Sequence, residues 1–139
     1  MTISEKIKYF YEVASSSPDR YDEVDDYVST DCAVRVGETS IPVGVEGMRQ
    51  HLIDVRKTYP DMKLRVIRQF VDHDHVISEV MMEGTHLGEW LGIKPTGKKL
   101  SIAAVNIDKI KEGKIIEHGG AANVFDIFWS EKIIRAWNN

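Results

Sequence analysis

Up to Pro60 the apolar residues recur every three or four positions, and beyond it every second one. The first period predicts a helix over 3–14, with Ile3, Ile7, Phe10 and Ala14 on one stripe. Thr2 followed by Glu5 has the spacing of a capping box, which would satisfy orphan amides at the helix start. Ser15-Ser16-Ser17 ends this helix, and Ser17-Pro18 opens a second, because proline at the first helical position loses no needed amide. Tyr21, Val24 and Val28 form the expected buried side of that helix, and Asp22, Glu23, Asp25 and Asp26 its solvated side. A short extended piece, 33–36, precedes a loop marked by Gly37 and Pro42. Val45, Met48, Leu52, Val55 and Tyr59 then predict a third helix, which should stop before Pro60.

Period two predicts strands over 62–71 and 76–83 around the turn Asp72-His73-Asp74-His75. A loop over 84–97 leads to strands over 98–111 and about 114–125, and Trp129, Ile133 and Trp137 suit a short closing helix. Three helices followed by long, mainly antiparallel strands is an α+β pattern. Such strands twist, so helices laid across one face would make an open cone with a pocket at its mouth.

Composition narrows the class. A chain of 139 residues, 42% hydrophobic and 29% charged, fits a single globular domain over 1–139. A net charge of −4 gives no support for a nucleic-acid partner. No apolar run approaches a membrane span, and the charged start MTISEKIKYF does not read as a cleavable signal. Cys32 is the one cysteine, so no intrachain disulfide is expected and a cytoplasmic setting is.

The hairpin around Glu112-Gly113 carries the densest polar pattern. With those two residues as a tight turn, Lys111 faces Lys114 and Ile110 faces Ile115. Regular pairing then sets Asp108 opposite Glu117, Asn106 opposite Gly119 and Ile102 opposite Asn123, all on one face. His118 falls on the other face with Ile107 and Val105, where a structural or interface role is expected. Asn106 and Asn123 must be hydrogen-bonded if buried, either within the fold or to a ligand. The run Gly119-Gly120-Ala121-Ala122 removes bulk from both faces. It could enlarge a cavity on one and admit a partner subunit's sheet on the other.

The run Gly84-Thr85-His86-x-Gly88-x-Trp90-x-Gly92-x-x-Pro95-Thr96-Gly97, with Lys114-Ile115-Ile116-Glu117-His118, resembles the SnoaL-like polyketide cyclases of the NTF2-like cone fold. The resemblance covers nearly the whole chain. It implies a cofactor-independent, metal-free protein whose relatives close a ring with an acid a few positions beyond the Glu-His pair. The usual run is E-H-W-x-x-x-D. Here Gly119 stands at the tryptophan position and Asn123 at that of the acid, and an amide cannot cycle a proton near neutral pH.

Asn123 could still hydrogen-bond a carbonyl or enolate, and Glu117 or Asp108 could replace the missing acid if burial raises its pKa; the alternative is a solvated pair near the turn. His86 is either a rim group or the anchor of its loop, and Trp90 either an aromatic lid or core. Arg35, near the expected mouth, could clamp a carboxylate or lie exposed on an edge. The candidate catalytic set is therefore Asn123, His86, Glu117 and Asp108, and the candidate ligand-binding set Arg35, Trp90, Asn106 and Gly119. His73-x-His75 reads as a polar turn, His51 as a core-edge histidine, and Cys32 lacks the neighbours of a nucleophile. The expected function is binding of a small, largely apolar carbonyl or hydroxy compound, with proton-transfer chemistry of the cyclase kind. The alternative is a non-catalytic binding protein. A homodimer through the sheet is expected in either case.

Overall fold

A computed structural model of the protein describes residues 1–89, 92 and 94–123. Helix α1, Ile3–Tyr9, starts on the expected box: Glu5 N–H donates to Thr2 Oγ1 at 3.2 Å and Thr2 N–H to Glu5 Oε2 at 2.9 Å. It runs into a π-helical turn over Phe10–Ala14, closed by Ser15 N–H on Phe10 O at 2.8 Å. The wider turn rotates the helix so that Phe10, Tyr11 and Ala14 are all buried. Pro18–Asp26 forms the second helix, wound as a 3-10 helix. The third, α2, spans Gly44–Thr58 and ends before Pro60 as the sequence requires.

Six strands follow from the remaining pattern: β1 Val28–Val36, β2 Thr39–Pro42, β3 Lys63–Asp72, β4 His75–Thr85, β5 Lys99–Lys111 and β6 Lys114–Ala122. Their order is β2-β1-β6-β5-β4-β3, with β1 parallel to β6 and every other pair antiparallel. Two expectations change here. Val28 does not belong to the second helix; it starts β1 and pairs with Ile115. The segment after Gly37 is a fourth short antiparallel pairing rather than a loop alone, with Ala33 opposite Pro42 and Val36 opposite Thr39. Trp90, the closing helix around Trp129, Ile133 and Trp137, and the last residues of the strand expected to 125 lie outside the described residues.

The helices cover one face of this mixed sheet. Ile7, Phe10, Val24, Met48 and Leu52 pack there against Val76, Val80, Ile110 and Ile115. Burial of such side chains stabilises by about 1.5–3 kcal/mol each and is the main force holding helices to sheet. The opposite face leaves Phe70, Val105 and Ile107 exposed. No helix among the described residues is long and apolar enough to cross a membrane.

The last hairpin turns on Glu112 and Gly113, both at positive φ (53° and 78°), as a tight two-residue turn demands. Beyond it the expected register holds for one further pair only. Ile110 faces Ile115, but Lys109 faces Glu117, so Ile116 is the extra residue of a β-bulge. Every later partner shifts by one: Asp108 faces His118, Ile107 faces Gly119 and Asn106 faces Gly120. The bulge lets Ile115 and His118, three residues apart, share the inner face. It also separates the Asp108 and Glu117 carboxylates, which regular pairing would set side by side.

Candidate functional site

A cavity of about 210 Å³ lies between the helices and the inner face of the sheet. Its walls are largely apolar: Phe10, Met48, Leu52, Val55, Met62, Leu64, Val80, Met82 and Ile102. Tyr11, Ser15, His51, Tyr59, Asn106 and His118 supply the polar groups. An apolar space with a few convergent polar groups is the usual form of a small-molecule site.

Three of the inner residues form a hydrogen-bonded array. Asp108 is fully buried, and its Oδ1 lies 2.6 Å from Nδ1 of His118. The Tyr11 hydroxyl donates to Asp108 Oδ2 and stands 3.4 Å from the same His118 nitrogen. The π-helical turn brings Tyr11 to this point, and the bulge at Ile116 brings His118. With Nδ1–H held by Asp108, the imidazole keeps Nε2 for exchange of a proton, on a residue that lines the cavity. Burial pulls the His118 pKa down, but the hydrogen bond and charge of Asp108 together outweigh it, and the net shift is upward. Burial, then the Asp108 charge and hydrogen bond, push the Tyr11 phenol well above its ordinary value, against a smaller opposing effect of Asn106. Tyr11 therefore stays protonated. Its one proton is committed to Asp108, the Asn106 side chain is hydrogen-bonded to the phenol, and Asn106 also lines the cavity.

His51 also lines the cavity, from α2, with an exposed outer side. Its pKa is lowered by surrounding protein and then by His118. Burial, followed by the Asp108 and Glu117 charges, pushes the Cys32 thiol up to about 11, which leaves it unsuited to nucleophilic work.

The expected candidates separate sharply. Asp108 and Asn106 belong to the inner face. Glu117 does not: displaced by the bulge, it accepts from Ser40 Oγ at 3.2 Å and lies 4.0 Å from Arg35. Arg35 is half exposed, donates to Gly37 O at 3.1 Å, and is absent from the cavity wall. Gly119 lies against it, since a Cβ there would sit 3.1 Å from Arg35 Cβ; glycine at this position serves strand packing and not the cavity. Asn123 is exposed, donates its backbone N–H to Ala103 O at 2.7 Å, and borders a shallow groove with Glu79 and Val105 outside the cavity. Trp90 lies outside the described residues.

His86 is wholly buried instead of standing at a rim. Its ring packs on Tyr59 with centroids 5.7 Å apart and meets Thr96 Oγ1 at 3.2 Å. Its backbone accepts from Gly97 N–H and donates to Lys98 O. The adjoining loop docks on the end of α2: Leu87 and Gly88 N–H both donate to Thr58 O, and a Cβ on Gly88 would come within 2.9 Å of the Lys57 carbonyl. Asp61 completes the anchorage by accepting from Thr85 N–H and Oγ1, each at 2.7 Å. The Gly-Thr-His-x-Gly motif is thus the clamp behind Tyr59, which is itself a cavity wall.

Sequence reasoning missed Tyr11, Ser15 and the inward position of His118. Tyr11 follows Ile7 by four residues and could have been placed on the buried stripe. Nothing in the local sequence announces the bulge that turns His118 inward.

Several solved structures share this architecture. A SnoaL-like polyketide cyclase from Agrobacterium tumefaciens matches with a TM-score of 0.81 at 14% identity, over 96% of this chain and 100% of that one. AclR from Streptomyces galilaeus, a candidate hydroxylase, matches at 0.77 and 21%, over 97% and 85%. IdmH from Streptomyces antibioticus, a candidate polyketide cyclase, matches at 0.75 and 22%, over 96% and 99%. No curated protein matches the chain. At these identities the structures establish the fold, an α+β cone of the NTF2-like kind, while the SnoaL-like polyketide cyclase family model matches residues 7–128. The chain belongs to the SnoaL-like polyketide cyclase family.

Proposed function

We propose that the protein binds a small, largely apolar ketone in its cavity and moves a proton at the carbon next to the carbonyl. The observation that carries this reading is the Tyr11–Asp108–His118 array beside the apolar cavity. His118 Nε2 takes the α-proton, the Asn106 amide hydrogen-bonds the enolate oxygen, and Asp108 stabilises the imidazolium that forms. Returning the proton to a different carbon of the enolate system completes an isomerisation; attack of the enolate carbon on a second carbonyl of the same molecule, whose alkoxide oxygen then takes the proton from His118, completes a ring closure. No acid at position 123 enters this scheme.

Cavity size favours a one- or two-ring compound. An engineered cavity of about 150 Å³ in another protein admits benzene, and this one is moderately larger. Three methionines, Met48, Met62 and Met82, give walls that adapt to shape. The test is exchange of the α-protons of α-tetralone in deuterated water, followed by NMR. Wild-type protein should accelerate exchange and His118→Gln should not; equal rates for both would overturn the reading.

The amide at position 123, where the family carries its acid, favours a second reading: a non-catalytic binding protein. It predicts thermal stabilisation by α-tetralone with no accelerated exchange. Both readings place a homodimer in the cytoplasm, paired through the sheet face that carries Phe70, Val105 and Ile107.

A further inference from the structure

Ser15 lies where the π-helical turn ends, is 1% exposed, and lines the cavity. Its hydroxyl oxygen has no hydrogen-bond partner among the described residues. Closing the turn does not need that hydroxyl. The backbone of Ser15 makes the closing bond to Phe10 O, the next hydroxyl, Ser16 Oγ, donates to Tyr11 O at 2.8 Å, and Arg56 holds Ser16 O at 2.6 Å. A buried hydroxyl left without a partner is as costly as a lost hydrogen bond, so such groups are rare unless something else fills the role. Tyr11 and Ser15 are four residues apart and both reach the cavity from one helical wall, so the wall carries two separate polar stations in otherwise apolar surroundings.

We propose that Ser15 is a specificity-determining residue whose hydroxyl binds a second oxygen function of the ligand, distinct from the carbonyl that meets Asn106. The inference rests on the cavity being a site for a carbonyl compound. It deepens that reading by naming the ligand class: a ring ketone with a hydroxyl or second carbonyl elsewhere on its frame. A site that hydrogen-bonds a ligand hydroxyl discriminates against the analogue lacking it, because the protein group is then left buried and unpaired. Ser15 acts in binding only, and the proton transfer at the α-carbon proceeds without it.

The test compares α-tetralone with its isomers bearing a phenolic hydroxyl at each free aromatic position, titrated calorimetrically into wild-type protein and Ser15→Ala. At least one isomer should bind wild type about three- to tenfold more tightly than the parent ketone. In Ser15→Ala that gain should vanish while affinity for the parent is kept. Unliganded Ser15→Ala should melt no lower than wild type, since it loses an unpaired hydroxyl and no structural bond. The proposal is overturned if no isomer gains affinity, if the gain survives in Ser15→Ala, if none of the compounds binds, or if the unliganded variant melts several degrees lower. A hydroxyl preference that depends on Ser15, found without accelerated exchange, would sink the proton-transfer reading and leave this assignment standing.

Discussion

His118 Nδ1 lies 2.6 Å from Oδ1 of Asp108, a carboxylate with no exposed surface whose other oxygen accepts from Tyr11. Three distant parts of the chain meet in this contact: a π-helical turn, the middle of β5 and the far side of a bulge in β6. Each group satisfies the next, which is what a buried polar cluster requires.

Asp108 should therefore control the titration of His118. Removing its charge leaves burial as the dominant influence on the imidazole, and burial lowers the pKa. In Asp108→Asn the His118 pKa, followed by NMR of the ring protons, should move downward from its raised wild-type position. Stability should fall by about 1–3 kcal/mol in urea titrations, as for a weakened buried hydrogen-bond partner. An unchanged His118 pKa would refute the pairing.

The pH dependence has a definite sign. The folded pKa of His118 is raised, so its contribution to stability is fully present below the unfolded pKa and is lost as pH rises through the folded pKa. Urea midpoints should decline across that window in wild type, and His118→Gln should lack this component. Exchange catalysis runs the other way. It needs the neutral imidazole, so its rate should climb through the same raised pKa and be at least about a hundredfold lower in His118→Gln.

Gly120 should tolerate no side chain. Its φ is +140°, and a Cβ would lie 2.0 Å from the Val105 carbonyl oxygen, a backbone atom that cannot swing aside. We expect Gly120→Ala to cost about 2–4 kcal/mol in chemical denaturation through strain and overpacking. Gly37→Ala is the control. It shares the positive φ but meets nothing within 4 Å, so its loss should be smaller.

Substitutions on the outer face should separate assembly from chemistry. Glu117→Gln, whose carboxylate faces Ser40 and Arg35, should leave α-proton exchange within about twofold of wild type, as exposed changes usually do. Ile107→Glu places a charge in the exposed apolar patch and should convert a dimer to monomer by light scattering. A dimer unaffected by that change would place its interface elsewhere.

The chain by itself determined much of the architecture. Apolar spacing located the helices and the four long strands, the Thr2–Glu5 box fixed where α1 begins, and Glu112-Gly113 specified a two-residue turn. These signals are local, acting within one element or across one turn. Family membership was equally legible, because the Gly-Thr-His-x-Gly clamp needs small residues at stated places: Gly84 under Tyr59 and Gly88 against Lys57. The site was not legible in this way. Which face a strand residue takes depends on unbroken alternation, and one extra residue at Ile116 reversed it for everything beyond. The bulge exchanged Glu117 for His118 and sent Gly119 and Asn123 to the outside. What favours it is non-local: Ile115 must fill the core against Val28 and the helices, while Asp108, buried from β5, needs a hydrogen-bond donor opposite it. The sequence alone determined elements and turns; only tertiary packing, which forces Ile115 and His118 onto the same side, decided which polar groups meet in the cavity.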